Sequence, residues 1–180
     1  MENSSGDVQE PEEQQELIDL HASMEKARGD LQELYDRFPR LFHGRPTEGY
    51  SNIPSGWKSL VFRLCAEIDA LLSDEEAEAF RVFQIKPKFA ELRFYFLFSG
   101  PEHTAEDGGD QTEDKVDRLV EAAVNDSLQT CEVCGAGGAT QLWKNNRWLT
   151  TLCPEHGAGL STEQDTRGAP RARKRTDLGA

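Results

Sequence analysis

Four potential metal ligands lie in two short motifs in the C-terminal third of the chain. Cys131 and Cys134 are separated by two residues and followed by a glycine, and Cys153 and His156 repeat that arrangement further on. Two ligands at this spacing can reach one ion from a tight turn, and the glycine lets backbone amides approach the sulfur atoms. Three thiolates and one imidazole complete a tetrahedral shell for Zn²⁺. The sequence therefore predicts one zinc ion bound by Cys131, Cys134, Cys153 and His156.

The predicted zinc is structural. A catalytic zinc usually keeps three protein ligands and one open position for water, whereas these motifs supply all four ligands. A zinc deaminase would combine a His-x-Glu element with Pro-Cys-x-x-Cys, and the chain contains no His-x-Glu sequence. We therefore predict no catalytic residues and no enzymatic activity.

The segment between the two motifs has the pattern of a β-hairpin. Residues 140–144 and 147–152 are strand-like, and Asn145-Asn146 suits a two-residue turn. Together with the motifs, this pattern predicts a zinc ribbon over residues 129–158. Trp143 and Trp148 flank the turn, where they either cover the small module or stack on nucleic acid. We favour the covering role.

Residues before the ribbon alternate between helical and strand periodicity. Three apolar stripes predict three helices before the ribbon. The first helix is long, and its stripe has the spacing of a helix that packs on another helix. Between the second and third helices, residues 79–85 and 91–98 are rich in aromatic and β-branched residues, which predicts a hairpin joined by residues 86–90. The stripes are Leu17, Leu20, Met24, Ala27, Leu31, Leu34, Phe38 and Leu41; then Trp57, Leu60, Val61, Leu64, Cys65, Ile68, Leu71 and Leu72; then Val116, Leu119, Val120, Ala123, Val124 and Leu128. The predicted fold class is α+β, a helical body with a β-hairpin and a small C-terminal zinc ribbon.

Two features of this body could carry further chemistry. Lys86, Lys88 and Arg93 lie among aromatic residues of the hairpin. They could bind a phosphate or an acidic partner, or they could pair with nearby carboxylates, and we favour the pairing. Cys65 lies on the apolar stripe of the second helix, which predicts a buried structural thiol.

Charged residues are distributed unevenly along the chain, which has a formal net charge of −13. We predict a disordered acidic leader over residues 1–10, the helical and hairpin body over 11–128, the ribbon over 129–158 and a disordered basic tail over 159–180. The acidic body disfavours a general nucleic-acid binder. No stretch approaches the roughly 18 apolar residues of a transmembrane helix. Since the N-terminus also lacks the pattern of an export signal, we expect no membrane association and a cytoplasmic protein.

The order of these features resembles a family of small uncharacterised bacterial and phage proteins. The family hairpin reads Val-Lys-Glu-Lys-Phe-Gly-Gly-Leu-Arg-Phe-Tyr, and residues 85–95 of this chain read Ile-Lys-Pro-Lys-Phe-Ala-Glu-Leu-Arg-Phe-Tyr. A helix, Cys-x-x-Cys-Gly, Leu-x-Thr-Leu-Cys and a final ligand follow in the same order. The resemblance covers roughly residues 54–156 and includes the four predicted metal ligands. It implies the architecture and a prokaryotic or viral setting, and it implies no activity.

Two functional hypotheses follow. The first is a non-enzymatic protein-interaction or regulatory protein, such as a phage-encoded, immunity or accessory factor, whose acidic body binds a protein partner with a basic surface. The alternative is a nucleic-acid-binding regulator that uses the zinc ribbon and the basic C-terminal tail. We expect such binding to be weak, because the acidic body opposes approach. The first helix would bury its stripe against its own chain in a monomer, which we favour, or against a second copy in a homodimer.

Overall fold

A computed structural model describes residues 10–99 and 111–164, and most side chains between residues 10 and 27 lie outside that description. Within these ranges, five α-helices combine with two antiparallel two-stranded sheets. The helices are α1 Glu10–Arg37, α2 Pro39–Phe42, α3 Lys58–Leu71, α4 Asp74–Ala79 and α5 Thr112–Ser127, and the strands are β1 Phe80–Lys88, β2 Glu91–Phe98, β3 Thr140–Lys144 and β4 Trp148–Leu152. The mixture of helices and hairpins confirms the predicted α+β class. No described helix is both long and apolar enough to cross a bilayer.

Most of the predicted leader and tail lies outside the described residues. The tail was predicted to begin at residue 159, but the backbone N–H of Trp143 donates to the carbonyl of Ser161 at 2.8 Å. This bond adds a short bridge to the outer edge of β3. The ribbon therefore continues past the predicted boundary, because the edge of β3 offers backbone groups that need partners.

Pro39 interrupts the first predicted stripe. Helix α1 ends at Arg37, and Pro39 begins α2, where its missing N–H removes no helical hydrogen bond. Leu34, Phe38 and Leu41 of the stripe are buried in one core with residues of α3. The stripe positions Leu17, Leu20, Met24 and Ala27 lie outside the described side chains, so their packing stays a prediction.

The β1–β2 hairpin is tighter than the sequence suggested. Residues 86–90 were predicted to form its connection, but β1 continues through Lys88 and pairs with Glu91. Only Phe89 and Ala90 form the turn, and both have positive φ angles, 55° and 62°, as a type I′ turn requires. Pro87 fits within β1 because the ladder alternation directs its nitrogen away from β2.

The core lies between α3, α5 and the inner face of the hairpin. Ile68 of α3, Val116 of α5, and Ile85 and Leu92 of the hairpin are all buried in it. Cys65 is fully buried in the same core, as predicted. Burial raises the pKa of its thiol well above the ordinary value, which is the opposite of what a nucleophilic cysteine needs.

Candidate metal centre

The four predicted ligands meet at one point between the two motifs. One donor atom from each of Cys131, Cys134, Cys153 and His156 lies within 4.8 Å of the others. Cys131 and Cys153 are buried, whereas Cys134 and His156 are exposed. The cluster therefore lies at the surface of the ribbon, with two sulfur atoms on its inner side.

Distances within the cluster fit a tetrahedral ion. Sγ of Cys134 lies 3.8 Å from Sγ of Cys153, and Nδ1 of His156 lies 3.8 Å from Sγ of Cys131 and 3.2 Å from Sγ of Cys153. In a tetrahedral shell, metal–sulfur bonds of about 2.3 Å place two sulfur atoms about 3.8 Å apart, and a metal–nitrogen bond of about 2.0 Å places the nitrogen about 3.5 Å from each sulfur. The imidazole points Nδ1 toward the sulfur atoms, so Nδ1 is the donor available to a metal. The donor set and its geometry both fit a four-coordinate metal site.

Local hydrogen bonds fold each motif into a knuckle. The N–H of Gly135 donates to the carbonyl of Cys131 at 2.9 Å, and the N–H of Gly157 donates to that of Cys153 at 2.8 Å. Gly135 has φ +77°, a conformation that a glycine adopts without strain. The chain therefore folds back at the glycine after each pair of ligands, and Gly135 does so with a left-handed backbone.

The knuckle amides also favour the thiolate form of two cysteines. Burial acts most strongly on Cys131 and raises the pKa of its thiol, but hydrogen bonds from the backbone, led by that of Cys153, outweigh it and lower the pKa below the ordinary value. The backbone of His156 lowers the pKa of Cys153. At Cys134 the backbone of Ala136 acts in the same direction, but burial and the neighbouring cysteines raise the pKa overall. Backbone hydrogen bonds therefore favour the thiolate form of Cys131 and Cys153, which is the form in which a cysteine binds a metal.

Glu132 lies inside the first knuckle, directly after the predicted ligand Cys131. Its carboxylate accepts a 2.7 Å hydrogen bond from the N–H of Thr151, while its own N–H donates to the carbonyl of Thr151 at 2.8 Å. Burial raises the pKa of this carboxyl group. These bonds tie the first knuckle to β4, which gives Glu132 a structural role.

The body supplies contacts to the metal centre that the sequence analysis missed. The N–H of Gly56 donates to the carbonyl of Glu132 at 2.9 Å, and Nε1 of the buried Trp57 donates to the carbonyl of Thr130 at 2.8 Å. On the other side, Oγ1 of Thr151 donates to the carbonyl of Ala90 in the hairpin turn at 2.7 Å. The ribbon is therefore bonded to the body from two directions.

Gly56 and the first knuckle approach each other closely. A Cβ added to Gly56 would lie 2.5 Å from the nitrogen of Gly135 and 2.9 Å from the carbonyl carbon of Glu132, and it would lie nearer still to the oxygen of Cys131. Real Cβ atoms essentially never approach so closely. The Gly56-Trp57 pair before α3 was the only sequence signal for this contact. The knuckle that Gly56 contacts begins at Cys131, which lies 75 positions further along the chain.

Around the ribbon turn, the two tryptophans differ. Trp143 is half-buried, in line with the covering role, whereas Trp148 is 72% exposed. The predicted two-residue turn is wrong by one residue, since Lys144 pairs with Trp148 across a loop of three residues. Asn145 and Asn146 take positive φ angles of 51° and 55°, which asparagine tolerates better than most residues.

The hairpin cations divide between the two predicted roles. Arg93 pairs with Glu91, and Arg81 pairs with Glu48 at 2.6 Å. Lys86 instead lies 5.9 Å from the ring centre of Tyr95, and Lys88 lies 5.5 Å from that of Phe89. Among the described residues, neither lysine has a carboxylate within ion-pair distance. The favoured pairing role therefore holds for Arg93, and the described residues provide no such partner for the two lysines.

Comparisons with family models, curated proteins and solved structures give no match to this chain. The resemblance carried by the hairpin and the metal ligands therefore stays a prediction.

Proposed function

We propose that this chain is a non-enzymatic protein-interaction or regulatory protein whose ribbon is held by one structural zinc ion. The observation that carries the proposal is the completeness of the ligand shell. Four donors at tetrahedral distances leave no position at which a metal-bound water could be activated. Thiolate-rich sites with one imidazole suit zinc, which supplies folding energy at such a site.

The partner that we propose is a protein with a basic surface, met in the cytoplasm of a bacterial or phage-infected cell. Helix α5 supports this choice, since its exposed positions include Glu113, Asp114, Asp117 and Glu121. Complementary charge speeds encounter and selects between partners more than it adds affinity. We therefore expect binding that weakens as the salt concentration rises.

A charge-neutral variant of α5 tests this proposal. Tagged full-length Asp117→Asn/Glu121→Gln protein should lose the proteins that wild type retains from a host lysate at low salt. Glu25→Gln/Glu75→Gln is the matched control, because it removes two exposed carboxylates elsewhere and should retain them. Equal retention by both variants, at equal zinc content, would contradict an interaction through the acidic body.

One observation favours nucleic acid as the alternative partner. Trp148 is 72% exposed, and Lys144 and Arg147 beside it are also exposed, so the ribbon edge offers a ring for stacking and two cations. Residues 167–180, the basic part of the predicted tail, would add a salt-dependent attraction. In this alternative, Trp148→Ala should weaken binding to an oligonucleotide, and deletion of the tail should weaken it further.

A further inference from the structure

The outer face of the β1–β2 hairpin differs in composition from the rest of the body. Strand alternation places Arg93, Tyr95 and Leu97 of β2 on the face that points away from the core, and the pairing register adds Arg81 and Lys86 of β1. Tyr95 is 42% exposed and Leu97 is 55% exposed. This face, including Lys88 and Glu91 near the turn, carries four cations on a chain of net charge −13. Two of them are paired, Arg81 with Glu48 and Arg93 with Glu91.

Cations and rings alternate on this face. The ammonium groups of Lys86 and Lys88 each lie within 6 Å of a ring centre, that of Tyr95 and that of Phe89 respectively. Within the described part of the chain, no ion pair holds either ammonium group, so both can neutralise an incoming anion. Residues two apart in a strand are about 6.7 Å apart, which sets a short repeat of positive charge beside stacking surfaces.

Phe89 at the turn adds a second observation. It is 67% exposed, and its φ of 55° lies in the left-handed region that a bulky side chain rarely adopts. Asparagine or glycine would suit this position better for stability. Local strain that displays an aromatic ring to solvent points to a role in binding.

We propose that the outer face of this hairpin binds single-stranded nucleic acid. Phosphates would contact Lys86 and Lys88, since Arg93 is paired with Glu91, and bases would stack on Tyr95 and Phe89, the combination by which sequence-tolerant single-strand binders work. An acidic peptide would satisfy the cations but would leave the exposed rings without flat partners. Because the acidic body repels a polyanion, binding is confined to low and moderate salt. The residues of this site differ from those of the ribbon edge, Lys144, Arg147 and Trp148.

Fluorescence anisotropy with a labelled twelve-residue oligothymidylate tests the proposal on the full-length, zinc-loaded protein. At 50 mM salt, Lys86→Gln/Lys88→Gln should weaken binding at least tenfold, and it should reduce the slope of log K against log salt by about 1.4, since each neutralised phosphate of a single strand contributes about 0.7. Tyr95→Leu, which keeps an apolar strand residue but removes the ring, should weaken binding about tenfold. Lys26→Gln/Lys115→Gln is the matched control, with the same change of net charge away from the hairpin, and should bind within twofold of wild type.

Three results would overturn the proposal. The first is no binding by wild type at 50 mM salt. The second is that the hairpin variants bind like wild type while Arg171→Gln/Arg173→Gln/Lys174→Gln/Arg175→Gln abolishes binding, which would place the contact in the tail. The third is that a labelled oligoglutamate binds as tightly as the oligothymidylate and Tyr95→Leu affects neither, which would assign the face to acidic proteins. Circular dichroism and zinc content must match wild type in every variant compared.

Discussion

The substitution Gly56→Ala tests whether the body and the metal centre form one cooperative unit. The added methyl group would meet backbone atoms of Cys131, Glu132 and Gly135, and these atoms belong to the knuckle that carries two of the ligands. A flexible side chain could rotate away, but backbone atoms can only move together with the knuckle. The ribbon must therefore separate from the start of α3 to accommodate one methyl group.

The expected loss of stability follows from the contacts that this separation breaks. Overpacking of a closely packed site destabilises by about 1–3 kcal/mol. The hydrogen bonds from Gly56 to Glu132 and from Trp57 to Thr130 contribute about 0.5–1.5 kcal/mol each. We expect a loss near 4 kcal/mol, which for a chain of this size corresponds to about 8–16 °C in Tm.

Thermal and urea unfolding of the zinc-loaded protein, followed by far-ultraviolet circular dichroism, measures this loss. Most of the signal comes from helices of the body, so a large shift would show that the ribbon contact stabilises the helices as well. Gly137→Ala is the control within the ribbon, because a Cβ there meets nothing within 4 Å, and it should unfold like wild type. The coupling is refuted if Gly56→Ala unfolds within about 1 kcal/mol of wild type while retaining its zinc.

Three further substitutions probe the other contacts of the fold. Thr151→Val removes the hydrogen bond from the Thr151 hydroxyl to the carbonyl of Ala90, and urea unfolding should show a free energy of unfolding lower by about 1–2 kcal/mol at unchanged zinc content. An unchanged unfolding midpoint would mean that this hydrogen bond does not stabilise the fold. Phe89→Asn relieves a left-handed aromatic residue, so the free energy of unfolding should rise by about 1 kcal/mol, and a fall would show that the ring is packed rather than displayed. Hydrogen bonds to Asp30 and Glu33 raise the pKa of Lys58 above its ordinary value of 10.5. The charged amine therefore stabilises the fold below that pH, and this contribution is lost as the pH rises through the higher folded value. Lys58→Met should thus flatten the decline in stability above pH 10.5, and an identical alkaline profile would contradict the ion pairs.

The cluster of four candidate metal ligands could be predicted from the sequence because the motifs that form it are local. Two residues between ligands and a following glycine define a knuckle whatever surrounds it, and all four predicted ligands meet in the structure. Apolar periodicity likewise found α3 and α5 to within a few residues, since helix packing depends on spacing along one segment. Cys65 was assigned to the core by the same pattern.

Contacts between distant segments could not be predicted in this way. In the sequence, Gly56 is an ordinary loop glycine, and only the structure shows that it contacts the first knuckle. Thr151 is likewise an ordinary strand residue, and only the structure shows that its hydroxyl bonds to Ala90. The hairpin turn was missed for a different reason. Phe and Ala rarely occupy left-handed positions, so local turn propensity favoured a longer connection than the two residues that the strand register uses.

X-ray absorption at the zinc edge, on protein purified without chelator and checked by native mass spectrometry, tests whether the four residues hold a structural zinc ion. We expect one zinc ion per chain, bound by three sulfur atoms at about 2.3 Å and one nitrogen atom at about 2.0 Å, and a loss of one sulfur in Cys131→Ser. A chain that carries no zinc, or a metal shell built from oxygen atoms that Cys131→Ser leaves unchanged, would contradict this expectation.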